Sequence, residues 1–189
     1  MQFITLELIA IICNVAVALL DLVLRRAGRR YHHSVHVRAP RDIVWAVASA
    51  RNITLDGSPP IVIKALPSPQ QGVEVLQVRT GGLTCRVGLR TLARREGVGE
   101  IHAVVPEHTD HLAVLAGVTT SGFALIDVPG GTRLTMFRAG SRIRFGARIN
   151  TPMALRVMAR RIAAASEQAA TLRRPRRVAM PSRTEASAR

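Results

Sequence analysis

The chain has 189 residues, with 27 Lys and Arg against 12 Asp and Glu, for a formal net charge of +15. Its two cysteines, Cys13 and Cys85, are too few for a disulfide framework, and no Cys/His spacing resembles a zinc finger, so no metal is expected. Aromatic residues at 3% leave almost no stacking platform for single-stranded nucleic acid. The excess of cations therefore points to an anionic membrane surface, with no specific nucleic-acid partner.

From Met1 to Leu24 the only charged side chains are Glu7 and Asp21. Residues 1–24, if helical, would span ~36 Å, enough for a hydrocarbon core of ~30 Å. No basic residue precedes Arg25 and no A-x-A cleavage site follows, so an uncleaved transmembrane anchor fits better than a secretory signal. Arg25, Arg26, Arg29 and Arg30 lie on the C-terminal side. They orient a single span with its N-terminus outside, place the remaining chain on the cytoplasmic side of the cell (inner) membrane, and would sit among lipid headgroups. Glu7, Asn14 and Asp21 recur every seven residues, a stripe suited to pairing with a second copy through the anchor. If Glu7 and Asp21 instead mark the two interfaces, the apolar core shrinks to residues 8–20, which suits an interfacial or buried helix as well.

Residues 25–30 form a basic juxtamembrane linker, and the domain follows at 31–172. YHHSVHVR (31–38) alternates like a strand, with Tyr31, His33, Val35 and Val37 on one face. RDIVWAVASA after Pro40 predicts a short helix, and NITLDGSPP a turn. Strands are then expected at 61–66, 73–80, 83–96, 99–106, 120–128 and 133–145. In the third, Cys85, Val87, Leu89, Thr91 and Ala93 share one face, and Thr84, Arg86, Gly88, Arg90 and Arg94 the other. VPGGT (128–132) is hairpin chemistry. A long helix should run from near Pro152 to near Leu172, with Leu155, Met158, Ile162, Ala165, Ala169 and Leu172 as its apolar stripe. Residues 173–189 are basic, rich in Pro, Ser and Ala, and aperiodic, and read as a disordered tail.

A strand, a short helix, six antiparallel strands and a long C-terminal helix form an α+β order. It resembles the START-like helix-grip proteins of the SRPBCC superfamily, which includes lipid-binding START domains and polyketide cyclases/dehydrases. HHSVHVRAPRDIVWAVAS (32–49), GFALIDVPGGTRLTMFRAG (122–140) and the closing helix carry the likeness. The resemblance implies a curved antiparallel sheet gripping the long helix, with a cavity for an apolar small molecule or lipid between them. The candidate lining is Cys85, Val87, Leu89, Phe123, Leu125, Leu134, Met136, Met158 and Ile162.

Some members of that superfamily catalyse cyclisation or dehydration, which needs an acid or base inside the cavity. The inward faces offer Thr91, Cys85 and His102 but few carboxylates. Apolar neighbours should raise the Cys85 pKa rather than activate it. The chain has no G-x-S-x-G, P-loop or dinucleotide fingerprint, so no catalytic residue and no cofactor is assigned. EHTDH (107–111) and the histidines of YHHSVH read as a solvated loop and an exposed strand face. Two functions fit: a membrane-anchored domain that binds a hydrophobic molecule, or a tethered scaffold with a filled interior that recruits protein or anionic lipid.

Overall fold

The computed structural model describes residues 29–68, 70–110, 117–140 and 145–173. The expected anchor, Arg25 and Arg26, the Glu7/Asn14/Asp21 stripe and the tail beyond Arg173 lie outside the described residues. Among the described residues, no helix is long and apolar enough to cross a membrane.

Eight strands form one antiparallel sheet: β1 (Arg29–Val37), β2 (Ile53–Leu55), β3 (Ile61–Leu66), β4 (Glu74–Thr80), β5 (Leu83–Arg95), β6 (Gly99–Val105), β7 (Thr120–Val128) and β8 (Gly131–Gly140). β2 to β8 run as a meander, and β1 joins the free edge of β8, for an order of β1-β8-β7-β6-β5-β4-β3-β2. Helix α1 (Arg41–Ala48) links β1 to β2, and α2 (Phe145–Arg173) closes the fold. α2 packs against β1, β8 and α1 and also reaches β2 at the opposite edge. Because both edge strands meet the same helix, the sheet curls around it. This is the helix-grip arrangement.

Local chemistry explains the joints. Pro40 presets the entry to α1, and its carbonyl accepts from the N–H groups of Ile43 and Val44 at 3.1 Å. Asp42 complements the positive end of the helix dipole, and Ser49 closes the other end through its N–H and hydroxyl on the Trp45 carbonyl. Between β7 and β8, Pro129 is followed by Gly130 at φ +80°, a conformation that favours glycine. The buried Thr132 then donates to the Ala39 carbonyl at 2.9 Å, pinning this hairpin to the β1–α1 joint.

The alternation read for β1 holds, but the strand begins at Arg29, so Arg29 and Arg30 pair with Gly140 and Ala139. The NITLD stretch forms β2 rather than only a turn, because Ile53 and Leu55 can pair with β3 and bury Leu55. α2 starts at Phe145, ahead of Pro152, and its buried stripe is Leu155, Ala159, Ile162, Ala163 and Ser166. Leu172, expected on that stripe, is 81% exposed because the last turn runs past the sheet. The main core gathers Val37, Val44, Trp45, Leu55, Ile61, Phe123, Leu125, Leu134 and Ile162, and the Trp45 and Phe123 rings meet at 5.7 Å.

Leu134 has no exposed surface and sits centrally in β8. Leu134→Ala should lower unfolding free energy by about 2–5 kcal/mol, the usual loss of transfer energy plus a residual void. Urea unfolding followed through Trp45, the single tryptophan, measures it.

Candidate functional site

A cavity of about 190 Å³ lies between the concave face of the sheet and α2. Ile63, Val78, Val87, Leu89, Met136 and Met158 form much of its apolar wall, with Phe123, Leu155 and Ile162. Arg51, Glu100, His102, Ser121 and Arg138 supply a polar side. Of the nine lining residues expected from sequence, six are therefore brought together: Val87, Leu89, Phe123, Met136, Met158 and Ile162. Leu125 and Leu134 are instead packed in the core beside Val37 and Trp45, too deep to face the cavity. Cys85 shares the inward face of β5 but stands outside the lining, its thiol directed at the Arg86 carbonyl 3.6 Å away. Burial pushes the Cys85 thiol above its ordinary pKa and Asp110 adds to the rise, with Arg138 partly opposing it.

Cross-strand register builds the polar side. Tyr31, Arg138, Ser121, His102 and Thr91 are successive partners across β1, β8, β7, β6 and β5. One step along the strands, Met136, Phe123, Glu100 and Arg94 form the next row. Arg94 was expected on the outer face of β5, but a bulge between Thr91 and Ala93 corrects this. Leu92 is the extra residue; it turns outward, 59% exposed, and the face alternation shifts so that Arg94 pairs with Glu100.

Glu100 is the centre of this cluster and has no exposed surface. Its Oε2 accepts from Arg51 Nη2 at 2.9 Å and lies 3.0 Å from His102 Nε2. Arg94 Nε stands 3.1 Å from Oε1 as an ion pair, off the line of a hydrogen bond, which leaves Oε1 with unused accepting capacity. Arg94 also lies over the Trp45 ring, 5.7 Å from its centroid. Arg51 reaches Glu74 as well, Nε to Oε2 at 2.7 Å. Burial disfavours the Arg51 charge, but hydrogen bonds and charge attraction from Glu100 and Glu74 outweigh it and raise its pKa. A carboxylate can only accept, so His102 Nε2 donates, and a neutral ring then takes the Thr91 hydroxyl at Nδ1, 3.4 Å away.

Sequence reasoning missed Glu100 and Arg51. Period 2 places Glu100 with His102 on one face of β6, yet Ile101 between them invites the opposite assignment, and it is Ile101 that is 38% exposed. Arg51 sits in an irregular joint after α1, where no periodicity marks a direction. Among the described residues, no group of three or more His, Cys, Asp or Glu could hold a metal ion. EHTDH is not a free loop tip: residues 106–108 make a 3-10 turn, and the Arg86 N–H donates to the Asp110 carboxylate at 2.7 Å.

This architecture is shared with solved structures. A protein from Rhodobacter sphaeroides superposes with a TM-score of 0.56 at 16% identity, over 77% of this chain and 95% of that one. The Zhui aromatase/cyclase from Streptomyces sp. R1128 does so with a TM-score of 0.53 at 15% identity, over 75% of this chain and 95% of that one. The di-domain ARO/CYC StfQ of the steffimycin biosynthetic pathway matches with a TM-score of 0.51 at 12% identity, over 79% of this chain and 52% of StfQ. At these identities the likeness establishes the fold alone, the helix-grip arrangement. No protein-family model matches the sequence, and no curated protein matches it.

Glu100 holds the buried network together. Glu100→Ala leaves Arg51 with Glu74 alone and takes the carboxylate from Arg94 and His102, and should cost about 1–3 kcal/mol of unfolding free energy. Glu74, 42% exposed on the same arginine, should cost about 1 kcal/mol or less when changed to Ala. Parallel urea unfolding of the two variants checks the difference, and equal losses would contradict it.

Proposed function

We propose that this domain binds a small, largely apolar molecule in the cavity between its sheet and α2, with the polar end of that molecule turned toward the Arg51–Glu100–His102 side. The observation that carries the reading is the cavity itself. About 190 Å³ is left unfilled where three aliphatic strands and a helix face each other, and its polar groups are concentrated on one side. An apolar wall supplies affinity, while a few fixed polar groups supply orientation. The volume is below the ~300–1,000 Å³ of drug-sized sites, which favours a compact ligand over a long-chain lipid. An open cavity also favours binding over the alternative of a scaffold with a filled interior.

The proposal includes a tether. The charge-poor residues 1–24 and the arginines that follow support a single-pass anchor, with the domain on the cytoplasmic side. Arg29 and Arg30 open β1, so the sheet would begin directly at the headgroup layer.

Val87→Trp, which projects an indole into the cavity, should weaken binding of a co-purified apolar ligand by tenfold or more, about 1.4 kcal/mol, with the fold retained. Native mass spectrometry with solvent extraction of both proteins reads this. The same bound molecule at the same occupancy in the variant would overturn the cavity as the site. For the tether, the full chain should stay in the membrane pellet after alkaline carbonate washing, and a chain beginning at Arg29 should be released. Release of both would remove the anchor.

A further inference from the structure

The polar side of the cavity contains more positive charge than its own carboxylates neutralise. Arg51 is held by Glu74 and Glu100, and Arg94 by Glu100. Arg138 lines the same cavity and makes no hydrogen bond or ion pair among the described residues. Its strand neighbours cannot neutralise it: Phe137 and Ala139 flank it in β8, and its register partners are Tyr31 and Ser121. Partial burial of the guanidinium pulls its pKa down. The only charge interaction that offsets the burial comes from Cys85, whose own thiol is held toward its neutral form.

A second unmet group adjoins it. Among the described residues the buried Tyr31 hydroxyl has no hydrogen-bond partner, and Tyr31 is the direct cross-strand partner of Arg138. Two donors without acceptors thus come from neighbouring positions on β1 and β8. An unpaired buried cation is costly, and a buried donor left unmet adds to the cost. The larger of these costs, at Arg138, is relieved by an acceptor in the cavity that carries one negative charge. A carboxylate suits the planar fork of a guanidinium, which it can meet through two parallel hydrogen bonds.

We infer that the molecule bound in this cavity is a compact apolar carboxylate, whose carboxyl group seats against Arg138 while its hydrocarbon part lies among Val78, Val87, Leu89 and Met136. This inference rests on the reading of the cavity as a ligand site. Arg138 is then the specificity-determining residue, because it distinguishes an acid from its neutral isostere. Glu100 does not repel the acid, since Arg51 and Arg94 already compensate its charge.

The test uses the full chain in dodecyl maltoside and two probes of matching shape, 2-naphthoate and 2-naphthamide, titrated calorimetrically against protein-free micelles as the blank. Naphthoate should bind at least about tenfold more tightly than naphthamide. Arg138→Met should abolish that preference while leaving naphthamide affinity within about threefold. Arg138→Met removes a charge that has no partner, so it should not lower the melting temperature of the empty protein. Arg138→Lys, which keeps the charge but loses the fork, should retain a reduced preference. Equal binding of the two probes by the unaltered chain would overturn the carboxylate inference and leave the cavity reading standing. Binding of neither probe would overturn both.

Discussion

A carboxylate removed from water must be given other partners, and Glu100 imposes that requirement on half the domain. Its Oε2 holds Arg51, which comes from the joint after α1, and His102, which comes from its own strand. Oε1 draws in Arg94 from β5, and Arg94 in turn covers Trp45 of α1. The network therefore links the helix, the joint and two central strands at one point. A buried ion pair of this kind adds little net stability compared with an apolar filling. Its effect here is positional: charged groups are held at fixed places on a face that would otherwise be hydrocarbon.

The other determinant is geometric. A meander of seven strands with β1 added at one end has two edges, and α2 touches both. A sheet bent that far cannot bring its middle strands into contact with the helix at every point, so the space over β4 to β7 remains partly open. The end of the sheet nearer the β7–β8 hairpin is filled by Val37, Leu125 and Leu134. One continuous concave surface is thus divided into a packed part that provides stability and an unpacked part that can accept a ligand.

Much of this was legible from residue order. Alternation in β1 and early β5 assigned the faces correctly, and the Pro-Gly turn marked the late hairpin. The apolar stripe of α2 was found but extended too far, because periodicity cannot show where the sheet beneath a helix ends. The cavity's polar side was the least legible part. Glu100 and His102 flank an exposed Ile101, so hydrophobicity points the wrong way on that strand. Arg138 continues the inward face of Leu134 and Met136, but a cation after two apolar residues reads as a strand leaving the core. Leu125 and Leu134 have the same sequence character as Phe123 and Met136. Only the curvature of the sheet decides which of them meet open space.

The bulge at Leu92 makes the pairing register of β5 a determinant of charge placement. Were Leu92 paired in the ladder like its neighbours instead of looped out, alternation would put Thr91 and Ala93 on the inner face, and Arg94 would face the other side. Glu100 would then lose one of its two guanidiniums and Trp45 its cationic cover. Substitutions at Leu92 that keep the chain length should matter little, since its side chain is already outside. Deleting Leu92 would remove the bulge and keep Arg94 on the inner face, whereas a change that draws Leu92 into the ladder acts on chemistry several ångströms away. When this strand is aligned with those of other helix-grip proteins, whether position 92 is looped out or paired therefore carries more functional meaning than which residue stands there.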